Sequence, residues 1–248
     1  MSGGKVPPGH QFTVADMIDA EGGHQEAYDQ KARFGLVDDD AFLAILHSDI
    51  DDAIERLQTD APRFMGAKED AITGNLITFL VGRRYDAWAE PFERGHVDIF
   101  VHCKRLRLKW HGEAKIHGAY DTALDGMRQL LTRYTSGTHH HGGFFLYVFR
   151  RNLNKIQAKW RRTIVADKRP DSCATTKDTN DAREYRFNTT HAHAIGSDYH
   201  VRHHLVYLHF APKDKSGVAN SEDYADEEEP DDENDASGGS RAPPTTAT

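Results

Sequence analysis

LRLKWHGEAKI, residues 106–116, is the stretch that decides the predicted fold. Its side chains alternate between apolar and polar, which is the period of a β-strand whose two faces meet different surroundings. The apolar face carries Leu106, Leu108, Trp110, Ala114 and Ile116. The polar face carries Lys109, His111, Glu113 and Lys115. Glu113 and Lys115 are therefore predicted to point to the same side of the strand.

Other segments with strand character surround this stretch. Before it, YDAWAE (85–90) and HVDIFVHC (96–103) are predicted to be strands, and Asp98 lies on the face opposite to the apolar residues of the second one. After it, GFFLYVF (143–149) is wholly apolar, which indicates a central strand that is buried on both faces. VRHHLVYLHF (201–210) is predicted to be the last strand.

Helical periodicity precedes and separates these strands. Apolar residues recur at three- and four-residue steps in 12–57, which predicts an acidic, helical N-terminal layer. A second helix is predicted at 67–81, with Glu69 near its start, and one continuous apolar stripe predicts a third at 120–134. Asn152 is expected to cap a fourth helix, which carries basic residues on its outer face.

This order of elements predicts an α/β fold with a mixed sheet covered by helices. We expect a helical N-terminal region at 1–65, a sheet-containing domain at 66–215 and a disordered acidic tail at 216–248. The tail is disordered in this prediction because it has too little apolar area to bury. It either keeps the protein in solution or competes with nucleic acid for a basic surface.

The net charge of −8 hides segments of opposite sign. Residues 1–103 hold nine bases and nineteen acids, whereas residues 104–162 hold thirteen bases and three acids. Residues 221–248 add ten acids and one arginine. The basic middle segment has the charge that binding to a phosphate backbone requires, although the same lysines and arginines would also solvate an exposed helix face.

Several classes of protein and of site are disfavoured by the sequence. No run of about 18 apolar residues occurs, and MSGGKVPPGH at 1–10 lacks the features of a signal peptide, so we expect a cytoplasmic protein with no membrane partner. Cys103 and Cys173 are too few for a disulfide framework. The sixteen histidines lack the spacing of a zinc site, so we expect them in exposed loops and strands.

Asp98 and Glu113 have the chemistry of ligands for a hard cation. Carboxylates on neighbouring strands bind Mg²⁺ through oxygen, with Mn²⁺ as a substitute, and the Ala114 carbonyl offers a further oxygen. Such a cation gathers phosphate oxygens and makes a bound water nucleophilic. Lys115 would orient that water or stabilise the charge of the transition state. The alternative is that Glu113 and Lys115 form the solvent face of an edge strand.

Asp98, fourteen intervening residues and then Glu113-Ala114-Lys115 resemble the motif of the PD-(D/E)xK nuclease superfamily. The resemblance implies a restriction-endonuclease-like fold, which is a mixed β-sheet flanked by helices. Its core has the element order α-β-β-β-α-β, which here would cover 67–150. It also implies that Asp98, Glu113 and Lys115 are catalytic and that Mg²⁺ is the cofactor.

The resemblance extends to the two helices beside the motif. Glu69 lies on the helix before the first strand, where the superfamily often has a catalytic glutamate. Gln129 lies on the helix after the motif, where a catalytic glutamine is common, whereas Tyr134 has irregular spacing from it and is left in the core stripe. Val97 stands where the motif has proline, a frequent departure within the superfamily.

A nuclease of this kind is expected to cleave DNA internally, in restriction or anti-phage defence or in DNA repair, and the pathway follows from family analogy alone. Phosphate contacts are expected from basic side chains of the middle segment, namely Arg128, Arg133, Arg150, Arg151, Lys155 and Lys159. Recognition of the target by a partner protein and formation of a homodimer are left open. Two rival functions also stay open: a non-catalytic DNA-binding or scaffold subunit of a nuclease complex, and a nuclease for RNA or for free DNA ends.

Overall fold

The computed structural model describes residues 23–90, 97–133, 140–167, 179–181, 185–192 and 197–211. Its helices are α1 (His24–Arg33), α2 (Asp39–Thr59), α3 (Glu69–Gly82), α4 (Tyr120–Arg133) and α5 (Leu153–Ala166), with a short 3₁₀ helix at Ala61–Phe64. Its strands are β1 (Asp86–Glu90), β2 (Val97–Cys103), β3 (Leu108–Ile116), β4 (His141–Val148), β5 (Thr179–Asp181), β6 (Arg186–Ala192) and β7 (Asp198–Tyr207). Within these ranges, no helix is long and apolar enough to cross a membrane.

The described part of the predicted N-terminal layer is helical and forms α1 and α2. Several other predictions fall outside the described residues. These concern 12–22 of that layer, Tyr134, the side chain of Arg133, Cys173 and the acidic tail at 216–248.

One mixed sheet contains the described strands in the order β1-β2-β3-β4-β7-β6-β5. The first three form an antiparallel meander, β3, β4 and β7 run parallel, and β6 and β5 return antiparallel. Parallel neighbours need crossover connections, and α4 lies between β3 and β4 along the chain while α5 follows β4. The predicted mixed α/β sheet with flanking helices is confirmed.

Helices cover both faces of the sheet, and each face has its own apolar core. The core on one face joins α2 and α3 to the sheet and includes Leu46 and Trp110. The core on the other face joins α4 and α5 to the sheet and includes Trp160. Because successive strand side chains point in opposite directions, β4 contributes Phe145 to the first core and Phe144 to the second. β4 is thus the central strand, buried on both faces, that the sequence predicts.

The polar face of β3 is buried, which the sequence does not predict. β3 lies between β2 and β4, and both His111 and Glu113 are buried on its α4 and α5 side. The alternative in which Glu113 and Lys115 solvate an edge strand is therefore wrong. At the two ends of the predicted strand, Leu106 lies in the preceding turn and Ile116 is exposed rather than part of the core.

Two features of the second half of the chain also differ from the predictions. β6 occupies a stretch for which no strand is predicted, although Phe187, Thr189 and His191 alternate there as buried residues. Asn152 does not cap α5 through its side chain, because its backbone is left-handed, with φ 64° and ψ 45°. Its carbonyl oxygen accepts the amide of Lys155 instead.

Several strand histidines are buried, contrary to the expectation that they are exposed. His191 and His203 both lie within hydrogen-bond distance of the Thr189 hydroxyl, through Nε2 atoms at 2.6 and 2.8 Å. A hydroxyl can donate one hydrogen bond and accept another, so one threonine satisfies a nitrogen of each ring. His203 also stacks on Phe187, with ring centroids 4.4 Å apart.

A buried ion pair fixes α1 on the rest of the fold. Arg33 donates from Nε and Nη2 to the two oxygens of Asp49 on α2, at 2.7 and 2.9 Å. The Tyr85 hydroxyl donates to the same carboxylate at 2.7 Å, and Arg83 lies 3.5 Å from it. Bidentate pairing and a third donor satisfy this buried carboxylate, so α1, α2 and the start of β1 are held together.

Candidate active site

The β2–β3 ladder opens at one end, and carboxylates take the place of the missing strand partners. The described register runs as far as Ile99 opposite Gly112. Beyond it, the Ala114 amide donates to Asp98 Oδ2 at 2.8 Å, and the Ile116 amide donates to Glu69 Oε2 at 2.9 Å. Alternate residues of a strand direct their amides to the same side, so both carboxylates line the same opening.

The Lys115 ammonium group lies at the centre of this opening. It donates to Glu113 Oε1 at 2.7 Å, to the Ala114 carbonyl at 2.7 Å and to Glu69 Oε1 at 3.3 Å. Asp98 Oδ2 lies 3.7 Å from the same Nζ atom. Four oxygens from α3, β2 and β3 therefore surround one positive charge.

Burial shapes the electrostatics of the site. The side chain of Glu113 is only 1% exposed, and this desolvation, with the nearby charge of Asp98, raises its pKa to about 7 against the opposing effect of Lys115. Burial likewise raises the pKa of Asp98 and of Glu69. Burial by itself lowers the pKa of Lys115, but the charge and hydrogen bond of Glu113 and the charge of Asp98 raise it above its ordinary value. The lysine therefore stays charged, while Glu113 changes its charge near neutral pH.

Gly126 on α4, for which the sequence predicts no functional role, leaves space for the side chain of Lys115. A Cβ atom at Gly126 of α4 would lie 3.0 Å from Lys115 Cε, 3.1 Å from Lys115 Cγ and 3.3 Å from a ring carbon of Phe144. Helix α4 therefore rests on the aliphatic part of the lysine. The signal in the sequence is a glycine inside an otherwise regular amphipathic helix, which is a costly residue at such a position.

A hydrogen bond also fixes the start of α3 relative to the sheet. Thr73 and Tyr147 have their hydroxyl oxygens 2.9 Å apart, in the interior between α3 and β4. Thr73 lies one helical turn after Glu69, the first residue of α3. The contact therefore holds the Glu69 end of the helix over the opening between β2 and β3. Neither residue carries a recognisable signal in the sequence.

The structure brings Asp98, Glu113, Lys115, Glu69 and the Ala114 carbonyl together. Gln129, in contrast, is half-buried on α4. Among the hydrogen bonds of the described residues, none joins it to these groups.

The predicted phosphate-contacting residues are spread over α4, α5 and the turn before α5. Arg128 is half-buried and lies 3.7 Å from Asp125, whereas Lys155 is exposed. The Lys159 ammonium lies 5.0 Å from the centroid of the Tyr120 ring at the start of α4. In the turn, Arg150 is half-buried, and Arg151 Nε donates to a ring nitrogen of His209 at 3.4 Å. Arg133 belongs to α4, but its side chain lies outside the described residues.

The donor set suits a small hard cation. Glu113 Oε2 is buried and has no hydrogen-bond partner among the described residues, so this oxygen has a coordination position to offer. Asp98 and the Ala114 carbonyl add two more oxygen donors of the kind that Mg²⁺ prefers. Within the described ranges, however, no group of three or more His, Cys, Asp or Glu residues is spaced to hold a metal ion. In the arrangement described, the Lys115 ammonium is the charge that balances the carboxylates.

We compared the chain with protein-family models, curated proteins and solved structures, and none of them matches it.

Proposed function

We propose that the protein is a metal-dependent deoxyribonuclease whose active site contains Asp98, Glu113 and Lys115. The observation that carries the proposal is the position of Lys115 Nζ among oxygens of Asp98, Glu69, Glu113 and Ala114. A structural ion pair would need one carboxylate, whereas three buried or half-buried carboxylates around one lysine are costly to fold. Such cost is characteristic of sites that bind a cation or perform acid–base chemistry.

The order of the elements supports a restriction-endonuclease-like core. The segment from α3 to β4 has the order α-β-β-β-α-β, with an antiparallel meander followed by a parallel strand. This is the order that the resemblance to the PD-(D/E)xK superfamily implies. The motif residues lie on the second and third strands of that segment, and Glu69 lies on its first helix. We infer from these positions that the segment is the nuclease core.

Each residue has a separate role in the proposed site. Mg²⁺, or Mn²⁺ in its place, would be held by Asp98, Glu113 and the Ala114 carbonyl, where it would supply Lewis acidity and a nucleophilic water. Lys115 keeps its proton and is placed to stabilise negative charge on a phosphate. Glu69 holds Lys115 and the Ile116 amide, so we assign it a positioning role. Gln129 stays a prediction.

DNA is the proposed substrate because the basic segment surrounds this site in the chain. Lys155 and Lys159 lie one turn apart on α5, and Arg150 and Arg151 precede that helix. Contacts from such residues to phosphates would position a duplex without selecting a sequence. Target selection would then come from another part of the protein or from a partner, in restriction, anti-phage defence or repair.

Cleavage of supercoiled plasmid and linear duplex tests the proposal, with Mg²⁺, Mn²⁺ or EDTA present. We expect cleavage with either metal, none with EDTA, and none from Asp98→Asn or Glu113→Gln. Asp86→Asn is the matched control, since Asp86 is an exposed carboxylate on β1 that pairs with Lys104 at 3.3 Å. If Asp86→Asn also loses activity, the loss comes from the removal of any negative charge, and the assigned site is contradicted.

A non-catalytic DNA-binding or scaffold subunit is the second candidate. The observation that favours it is that Glu113, Glu69 and Ala114 already satisfy the Lys115 ammonium without a metal. Such a subunit would bind DNA in every metal condition and cleave in none. Binding to duplex DNA without cleavage, by protein whose folding is verified, would therefore favour the second candidate over the first.

A further inference from the structure

A second group of charged side chains lies on the face of the sheet opposite to Lys115. We call it the Asp51 cluster, and it consists of His47 and Asp51 on α2, Arg186 on β6, and Arg202 and His204 on β7. His47 and Asp51 are one turn apart, so they share a face of α2. The ring of His204 stacks on Phe145 in the core beneath α2 and α3, with centroids 4.9 Å apart and planes 8° apart.

The two arginines of the Asp51 cluster share one carboxylate oxygen. Arg202 Nη2 lies 2.9 Å from Asp51 Oδ2, and Arg186 Nη1 contacts the same oxygen. Within the cluster, two guanidinium groups thus share one carboxylate oxygen beside two neutral imidazoles. Partial burial, and then the charge of Arg202, lower the pKa of Arg186 to about 10. The guanidinium groups of Arg186 and Arg202 therefore repel each other in a partly desolvated environment.

Both histidines of the cluster have buried ring nitrogens that find no hydrogen-bond partner among the described residues. His204 is buried, its Nδ1 lies 3.6 Å from Asp51 Oδ1, and its Nε2 has no hydrogen-bond partner among the described residues. His47 Nε2 is also buried without such a partner. Burial and the charge of Arg202 lower the pKa of His47 to about 3, and that of His204 well below its ordinary value. Buried polar atoms without partners are rare in folded proteins and need an explanation.

We propose that the Asp51 cluster binds a phosphate group and that Asp51 occupies the position of this anion in its absence. A phosphate has more oxygens and up to twice the charge of a carboxylate, so it suits two guanidinium groups and nearby imidazole N–H donors better than Asp51 does. Solvent reaches the cluster, since the side chains of Asp51, Arg202 and Arg186 are 22%, 20% and 12% exposed.

The phosphate group has two possible sources, a free phosphate or phosphomonoester and the phosphodiester backbone of a nucleic acid. Both present the same oxygens to the arginines. The proposal does not depend on the cleavage site, because the cluster shares no residue with it and the side chains of Glu113 and Lys115 leave the opposite face of the sheet.

Thermal unfolding and calorimetry of the full chain test the proposal, with inorganic phosphate compared with chloride at equal ionic strength. We expect phosphate to raise the unfolding temperature of the wild type. Asp51→Asn should bind phosphate about tenfold more tightly, because a competing charge-assisted acceptor is removed. Asp52→Asn is the matched control, since it makes the same charge change one residue away, where Asp52 pairs with Arg83 at 3.0 Å. It should bind like the wild type.

Arg202→Gln should lose phosphate binding. If that variant does not fold, Arg202→Lys keeps the charge without the planar fork and should bind at least severalfold more weakly than the wild type. Equal phosphate affinity of Asp51→Asn and Asp52→Asn, or unchanged affinity of folded arginine variants, would overturn the proposal.

Competition by a 5′-mononucleotide assigns the site to phosphomonoesters, and competition by a short oligonucleotide without terminal phosphates assigns it to a nucleic-acid backbone. If neither compound competes and inorganic phosphate leaves the unfolding temperature unchanged, the proposed phosphate site is rejected.

Discussion

Lys115 Nζ lies 2.7 Å from Glu113 Oε1, and the two side chains leave the same face of β3. The pair lies beside an opening in the sheet where Asp98 and Glu69 accept backbone amides of β3. Because Glu113 is buried and has acidic neighbours, its protonation is easier in the folded chain than in water. The charge of the site therefore depends on pH and on any cation that enters it.

Glu113 should make the stability of the metal-free protein depend on pH. Its pKa is raised to about 7 from 4.5, so its stabilising contribution is complete below the unfolded pKa and is lost as pH rises through about 7. In EDTA, Glu113→Gln should gain free energy of unfolding relative to the wild type between about pH 5 and about pH 8, by up to about 3 kcal/mol. Urea denaturation measures the difference. Asp98 and Glu69 titrate in both proteins, and a difference that stays constant with pH contradicts this assignment.

Gly126→Ala should impair the site without the stability gain that alanine usually gives a helix. An added Cβ meets the Lys115 chain at 3.0 Å, so the lysine has to shift. Gly74→Ala is the matched control, because nothing lies within 4 Å of a Cβ at Gly74 in α3. We expect the control to stabilise the protein by about 1 kcal/mol with unchanged activity. Gly126→Ala should show no such gain and a lower cleavage rate; equal behaviour of the two variants would contradict the packing argument.

Asp49→Asn should strongly destabilise the fold. The change leaves the buried Arg33 with only the partly exposed Glu26, 3.2 Å away, as a countercharge, and removal of one partner of a buried ion pair costs about 3–5 kcal/mol. Asp52→Asn removes an exposed carboxylate from the same helix and should cost about 1 kcal/mol or less. Urea denaturation of both variants tests the prediction. A loss in Asp49→Asn as small as that in Asp52→Asn would mean that the buried pair contributes little.

Much of the fold could be predicted because its strongest elements carry clear periodicity. β3 alternates, β4 is continuously apolar, and α4 has a single stripe, so their types followed from local patterns. β6 alternates too, but its buried face holds Thr189 and His191, which do not look apolar. Their burial depends on the Thr189 hydroxyl, which lies within hydrogen-bond distance of His191 on the same strand and of His203 on β7.

The candidate site was also predictable only in part, because some of its features depend on contacts between separate elements of the chain. Asp98, Glu113 and Lys115 could be found from strand spacing and a motif. The roles of Gly126 and Tyr147 depend on contacts between elements, which no local pattern records. Burial of the polar face of β3 likewise depends on its position inside the sheet, which follows from the pairing with β4.

Cleavage of plasmid DNA by Lys115→Met, with duplex binding measured on the same preparation, tests the central claim most directly. Lys109→Met is the matched control, since Lys109 lies on the same strand and its ammonium lies 5.7 Å from the centroid of the Phe100 ring. We predict that Lys115→Met loses cleavage with Mg²⁺ by at least about a hundredfold while it still binds DNA, because general acid–base and charge-stabilising groups contribute that much. Lys109→Met should retain both properties. Cleavage by Lys115→Met at the wild-type rate would contradict the assignment of this lysine to the active site.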